Sequence, residues 1–384
     1  MSRRLLRPSG VMMAGELRQG LEVELDGDVI VRVGPQTGIP EPFVLSPAFV
    51  NAHSHLEYRS LMGEVDPALG YWDWIKALVA RKLTQTADEV VDSCMLAARE
   101  NRLAGVAYIH EHSDRPGSVA AMREAGLQGI VFQEILTMGV GDSVVAPARA
   151  RAAELDTPEL RVFPNPHAVH TVFPDLLREF ARAPHPLTIH VAETEYESQL
   201  FGAAEGPLQD FYDLVGLPSR ASGKTVIGEF ESLGLARPGV QIVHACDISV
   251  AEIQRLVPTG VSVAHNPRSN LHLKCPPMRL REMLDAGMPV GLGLDSAAST
   301  GPIDMFLEMQ EALATSHRRG HHVSAQEVWN VATELGASSV GLQDWRIEPG
   351  LRVPLIAIHS QAETADDLIA QGTPEQVEWI VNPR

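Results

Sequence analysis

The chain has 384 residues, 45% of them hydrophobic and 21% charged, so it can bury a large core and folds as an ordinary globular protein. Its formal net charge of −18 argues against a nucleic-acid partner, because affinity for a phosphate backbone comes largely from Lys and Arg; a small molecule is the expected ligand. Only Cys94, Cys246 and Cys275 occur, with no CxxC pair, and neither an apolar leader nor a run of about 18 apolar residues is present, so buried thiols and a cytoplasmic protein without membrane contact are expected.

In chain order, the first pattern is LEVELDGDVIVRVG. Leu21, Val23 and Leu25 alternate up to Asp26-Gly27, and Val29, Val31 and Val33 alternate after it, which predicts a β-hairpin. The middle of the chain then changes to short apolar runs separated by stretches of helical period, the pattern of parallel strands with crossover helices. The runs are SPAFVNA, GVAYIHE, GIVFQEI, LRVFPNP, LTIHVAE, VQIVHAC, VSVAHNP and PVGLGLD. They end at or beside His53, Glu111, Glu134, His167, His190, His244, His265 and Asp295. Polar residues gathered at strand ends favour a (β/α)8 barrel, whose chemistry sits on the face where strand C-termini converge, over a doubly wound sheet. Towards the end, Leu351, Val353 and Leu355 alternate through Pro354, which predicts an edge strand, and Val377, Trp379 and Val381 alternate again. The expected fold is therefore α/β: a TIM barrel over 45–345, with a small β-sandwich domain formed by both termini, 1–44 and 346–384.

His53 and His55 are two apart at a strand end, so their side chains share a face and can grip one ion. With 15 histidines in the chain, about half an HxH pair is expected by chance, and a second pair, His110 and His112, does occur. The first pair gains weight from its company, since His190 in LTIHVAE, His244 in VQIVHA and Asp295 in GLGLDS also end predicted strands.

With SPAFVNAHSHLE, HNPRSNLHL, GLGLDSAAS and VATELGASSVGL, nearly the whole chain resembles the amidohydrolase superfamily, in its cytosine deaminase, adenosylhomocysteine deaminase and chlorohydrolase branch. The resemblance implies metal ligands His53, His55, His190 and Asp295, and catalytic roles for Glu193, His244 and Asp295. Glu193 would take a proton from water and deliver it to a ring nitrogen, His244 would hold the attacking oxygen, and Asp295 would pass the second proton to departing ammonia. Binuclear members bridge two metals with a modified lysine on the fourth strand, and LRVFPNPH has none; one Zn2+ is expected, with Fe2+ and Mn2+ able to accept similar ligands. Such an ion brings the pKa of bound water down to about 7.

For the substrate, His167 in NPHAVHT and Trp74 in YWDWIKAL match segments that nucleoside deaminases of this branch place beside the purine. Adenosylhomocysteine deaminases carry an acidic residue two positions before that tryptophan, where this chain has Trp72. Glu57 in HSHLEY and the segment GKTVIGEFESLGLARPGVQIVHA look instead like aminodeoxyfutalosine deaminases of menaquinone synthesis. On this reading Glu57 accepts from a ribose diol, and an aryl carboxylate calls for Arg59, Arg81, Lys82 or Arg268. The expectation is a cyclic-amidine deaminase acting on aminodeoxyfutalosine, the rivals being adenosylhomocysteine, methylthioadenosine or guanine deamination, triazine dechlorination, or a non-catalytic binding barrel. A homodimer is the default assembly.

Overall fold

A computed structural model describes residues 3–383. The strands, in order, are β1 (Arg3–Leu6), β2 (Pro8–Met13), β3 (Glu16–Arg18), β4 (Leu21–Asp26), β5 (Val29–Pro35), β6 (Glu41–Pro47), β7 (Phe49–Ser54), β8 (Val106–Ser113), β9 (Gln128–Ile135), β10 (Arg161–Pro166), β11 (Leu187–Val191), β12 (Val240–His244), β13 (Ser262–His265), β14 (Val290–Leu292), β15 (Leu355–Ile358) and β16 (Val377–Val381).

The predicted hairpin is β4–β5, closed where Gly27 adopts a φ of +61° that suits a residue without Cβ. A bulge between Glu24 and Leu25 shifts the register, so Leu25 faces Ile30. Ile30 is consequently fully buried, while Val29 and Val31 turn outward. With β1 these strands make a three-stranded sheet, and both ends of the chain meet in a five-stranded one, ordered β16-β15-β6-β2-β3. The strand expected to run along an edge through Pro354 is different in the structure. Residues 351–354 are not in a strand, and β15 begins after the proline and lies between β16 and β6. A proline has no N–H to give to a ladder, so pairing on both sides starts only beyond it; the Pro354 carbonyl instead accepts from the Ala48 amide at 2.9 Å.

All of the apolar runs read from the middle of the chain contribute strands, β7 to β14, in two all-parallel sheets ordered β10-β9-β8-β7 and β11-β12-β13-β14. Parallel neighbours require long crossovers, and helices such as Ala87–Leu103, Val145–Leu155 and Val250–Leu256 lie between them. Every residue of β8 is buried, as expected for a strand covered on both faces. Isolated parallel bridges, Ser54 with Asp295 and Ala168 with His190, join the edge of each sheet to the other at the C-terminal ends of the strands. Among the described residues no helix is long and apolar enough to cross a membrane.

The N-terminal end of β7 is pinned by aromatic packing. Phe49 meets Phe306 and Trp329 edge-on at 5.5 Å, and all of these are fully buried. Indole N–H groups of Trp329 and Trp345 donate to Ser46 Oγ at 3.1 Å and to the Ala48 carbonyl at 2.8 Å, tying the start of β7 to the C-terminal helical region. Phe49→Ala is expected to cost about 3–5 kcal/mol of stability by opening a cavity in this cluster. Urea unfolding measures it, and a loss below about 1 kcal/mol would show that the cluster is not the anchor of β7.

Candidate metal centre

Alternation along β7 sends His53 inward at a strand end and His55 to the same side just beyond it. β11 supplies His190, β12 ends on His244, and Asp295 follows β14. His53 belongs to two groupings, His53/His55/Asp295 and His53/His190/His244, in each of which the ligand atoms lie within 4.8 Å of one another. Asp295 Oδ1 is 3.7 Å from His53 Nε2 and 4.0 Å from His55 Nε2. The backbone is bent to achieve this. His244 and Asp295 sit in the left-handed region, with φ of +74° and +50°, a conformation that costs a side-chain-bearing residue about 1–2 kcal/mol.

Ring orientation follows from the hydrogen bonds on the far nitrogens. His55 Nδ1 faces the His112 carbonyl at 3.2 Å and His190 Nδ1 the His167 carbonyl at 2.9 Å. A carbonyl only accepts, so each Nδ1 carries the proton and each Nε2 keeps its lone pair. His244 Nδ1 donates in the same way to Asn270 Oδ1 at 2.8 Å. Asn51 Oδ1 accepts from the amides of Leu294 at 2.9 Å and His53 at 3.3 Å, fixing the two strand ends together. Both ring nitrogens of His53 are buried and lack any partner among the described residues.

Burial disfavours the charged form of three of these rings: it drives His55 down to about 3 and pushes His53 and His190 below their usual value. Burial opposes charge on Asp295 too, but the neighbouring His53, His244 and His55 outweigh it and keep the carboxylate below its usual range. Neutral imidazoles beside an ionised carboxylate, with an orphaned nitrogen at the centre, are a donor set that fits a divalent transition ion.

Glu193 stands next to this centre, its Oε1 3.5 Å from His244 Nε2. Burial, resisted by His244, raises its carboxyl to about 7. Its position depends on Glu197, whose buried carboxylate accepts the amides of Ala192 at 3.1 Å and Glu193 at 2.7 Å. Ala192 itself is left-handed, with a φ of +58°. The Thr194 amide also donates to Glu197 Oε1, at 3.4 Å, so one side chain starts the helix Glu195–Ala203 and holds the Glu193 turn. The Tyr71 hydroxyl lies against Glu193; burial and then that carboxylate push it well up.

The residues expected at the substrate divide into two groups. His167 is half-buried and stacks on His190 with ring centroids 4.6 Å apart, its Nδ1 2.9 Å from Thr171 Oγ1. Trp74 is buried and its indole N–H has no partner among the described residues. Glu57, Arg59 and Arg268, in contrast, are occupied within the fold. Glu57 is 0% exposed, accepts from Ser113 Oγ at 2.6 Å and faces Lys82 Nζ at 3.6 Å, so its carboxylate does not open onto the cleft. Arg59 makes a two-pronged pair with Glu100, one prong at 2.7 Å. Arg268 donates to the carbonyls of Pro302, at 2.9 Å, and Thr300, and lies 3.8 Å from Glu308. Of the second HxH pair, His112 lies 3.3 Å from Glu134 beside His190, and His110 faces Gln241 at 3.0 Å.

The family model described as "Amidohydrolase family" matches residues 44–370. The chain belongs to this family and is a hydrolase of C–N bonds. A 5-methylthioadenosine/S-adenosylhomocysteine deaminase of Thermococcus kodakarensis is 28% identical over 335 residues, covering 82% of this chain and 74% of its own length. The fold is shared with an adenosine deaminase of Xanthomonas campestris with bound zinc, at a TM-score of 0.82 and 23% identity, over 99% of this chain and 93% of that one. It is also shared with the aminofutalosine deaminase of Helicobacter pylori in complex with methylthio-coformycin, at 0.81 and 18%, over 98% of this chain and 100% of that one.

Gly293 gives a direct handle on the centre, because a Cβ there would lie 2.1 Å from Asn266 Oδ1 and 2.8 Å from His53 Cβ. Gly293→Ala is expected to displace His53 and lower the metal content of the folded protein, whereas Gly202→Ala, whose Cβ would meet only the Lys224 carbonyl at an ordinary 3.8 Å, retains it. Elemental analysis of the two purified variants makes the comparison; equal metal content would show that the position of His53 does not govern binding.

Proposed function

We propose that this chain is a zinc-dependent deaminase that removes the 6-amino group of a purine nucleoside, with 6-aminodeoxyfutalosine as its preferred substrate. On this reading the two parallel sheets close as one (β/α)8 barrel, and the terminal strands form a separate small β-sandwich. The enzyme works in the cytoplasm, consistent with its three buried free thiols. The observation that carries the proposal is Glu193, a carboxyl with a pKa of about 7 placed 3.5 Å from His244 Nε2 and beside the metal-ligating cluster.

His53, His55, His190 and Asp295 would hold the zinc, which when bound would supply an activated water at neutral pH. Near neutrality Glu193 is present in both protonation states, so it can take a proton from the attacking water and give it to the ring nitrogen. Because His244 spends its Nδ1 proton on Asn270, its Nε2 lone pair is free to accept from that water and hold it in line. Asp295 then relays the second proton to the amine. A C–N bond breaks, a carbonyl forms, and one water is consumed for each ammonia released. His167 and Trp74 form walls for the purine, Trp74 offering an unpaired indole N–H.

The preference for aminodeoxyfutalosine rests on the resemblance carried by GKTVIGEFESLGLARPGVQIVHA. Methylthioadenosine or adenosylhomocysteine is the second reading, favoured by the Thermococcus relative. Against it stands Trp72, which packs edge-on against Phe211 at 5.7 Å where such a deaminase would place an acid for the ribose.

Ammonia release over a panel of aminopurine nucleosides, free aminopurines, cytosine and aminotriazines tests the substrate; turnover confined to pyrimidines or triazines contradicts it. Glu193→Gln is expected to keep its zinc and lose at least about a hundredfold in kcat. Undiminished turnover in that variant would remove Glu193 from the proton transfers.

A further inference from the structure

An aryl carboxylate at the far end of the proposed substrate needs a cation, and the candidates read from the sequence are all taken. Arg59 is paired with Glu100 and Arg81 with Glu64 at 2.8 Å. Lys82 is paired with Asp114 at 2.7 Å, and Arg268 lies against Glu308. A different cation is free. Arg220 has no carboxylate within ion-pair distance among the described residues, and its NH2 is buried with no hydrogen-bond partner among them. Its orientation is nonetheless fixed. NH1 donates to the carbonyls of Val169 at 2.8 Å and Val172 at 3.0 Å, and the guanidinium lies 5.0 Å from the centre of the Phe201 ring. A guanidinium immobilised this way, beside the Tyr212 hydroxyl but with no carboxylate to balance its charge among the described residues, is an uncompensated cation.

Arg220 lines a cavity of about 280 Å³ together with Met138, His170, Thr171 and Tyr212. The other charges on its walls are compensated: Arg178 pairs with Asp175 at 2.8 Å, and Glu229 lies 3.8 Å from Lys224. This space adjoins the metal centre. Thr171 Oγ1 contacts His167 Nδ1 at 2.9 Å, and His170 Nδ1 lies 3.6 Å from Glu197, which holds the Glu193 turn. Thr171 and His170 are thus a wall common to the purine site and the cavity.

We propose that this cavity is an anion subsite of the substrate cleft, receiving the carboxylate at the end of the nucleoside remote from the amine, with Arg220 as its counterion. The inference deepens the substrate reading above and rests on it. Arg220 selects carboxylate-bearing nucleosides over neutral ones of the same length, so it acts on KM rather than on the chemistry at the ring.

Steady-state kinetics of the zinc enzyme with aminodeoxyfutalosine and with its methyl ester test this. The ester is expected to show a KM at least about tenfold higher, with Arg220→Met bringing the ratio close to one and Arg220→Lys leaving it intermediate. Equal KM values in the unaltered enzyme, or a ratio that Arg220→Met leaves unchanged, would overturn the proposal; the first comparison needs no variant to fold. Calorimetric binding of benzoate against benzamide separates the subsite from the substrate reading. If no aminopurine nucleoside is deaminated, the reading fails, yet benzoate bound in preference to benzamide and lost in Arg220→Met still supports the subsite. Benzoate binding that survives Arg220→Met places the anion elsewhere and refutes it.

Discussion

The constraint on which the functional end of this protein depends is the removal of several imidazoles from water. His53, His55, His190 and His244 are all buried within a few ångströms of one another, and desolvation drives His53, His55 and His190 to the neutral form. Each unsatisfied nitrogen costs about 1–3 kcal/mol, and left-handed backbone at His244 and Asp295 adds to that. Hydrogen bonds among the described residues do not recover it at His53, both of whose nitrogens are without a partner. A divalent cation does, by accepting the lone pairs that the hydrogen bonds at Nδ1 leave on Nε2. The backbone carbonyls of His112 and His167 are therefore part of the centre, although neither is a ligand.

The same economy explains the neighbouring cluster. His112, Glu134 and His190 also converge, yet His190 Nδ1 is committed to the His167 carbonyl and His112 Nδ1 faces Glu134 at 3.3 Å. Burial pushes the Glu134 carboxyl well up, and with His112 it packs behind His190. Glu57, Lys82, Asp114 and Tyr58 form a comparable closed set, in which the ammonium is spent on carboxylates and a phenol.

Much of this was legible in the sequence because parallel strands advertise themselves. Short apolar runs ending at or beside His, Glu or Asp located every strand from β7 to β14 and put His53, His190 and His244 on one end. The lysine absent from LRVFPNPH was readable for the same reason. Pairing partners were less legible. The bulge that turns Ile30 inward and the central placement of β15 depend on register and on strands distant in the chain. Charged residues were misplaced wherever a partner far along the chain claimed them, as Glu100 claims Arg59 and Glu308 holds Arg268. Glu197 was within reach, since Thr194-x-x-Glu197 is a capping box, but its grip on the Glu193 amide was not. Tyr71 and Arg220 carry no local signal, because what they touch is set by tertiary packing.

The central claim is one metal ion, bound by these strand ends and required for their stability. Titration of metal-free protein with Zn2+, followed together by calorimetry and thermal unfolding, tests it most directly. The account predicts a single tight equivalent per chain and a raised unfolding temperature, since an ion at a thousand times its Kd adds about 4 kcal/mol to the folded state. Two equivalents of similar affinity, or none with unchanged unfolding, would contradict it.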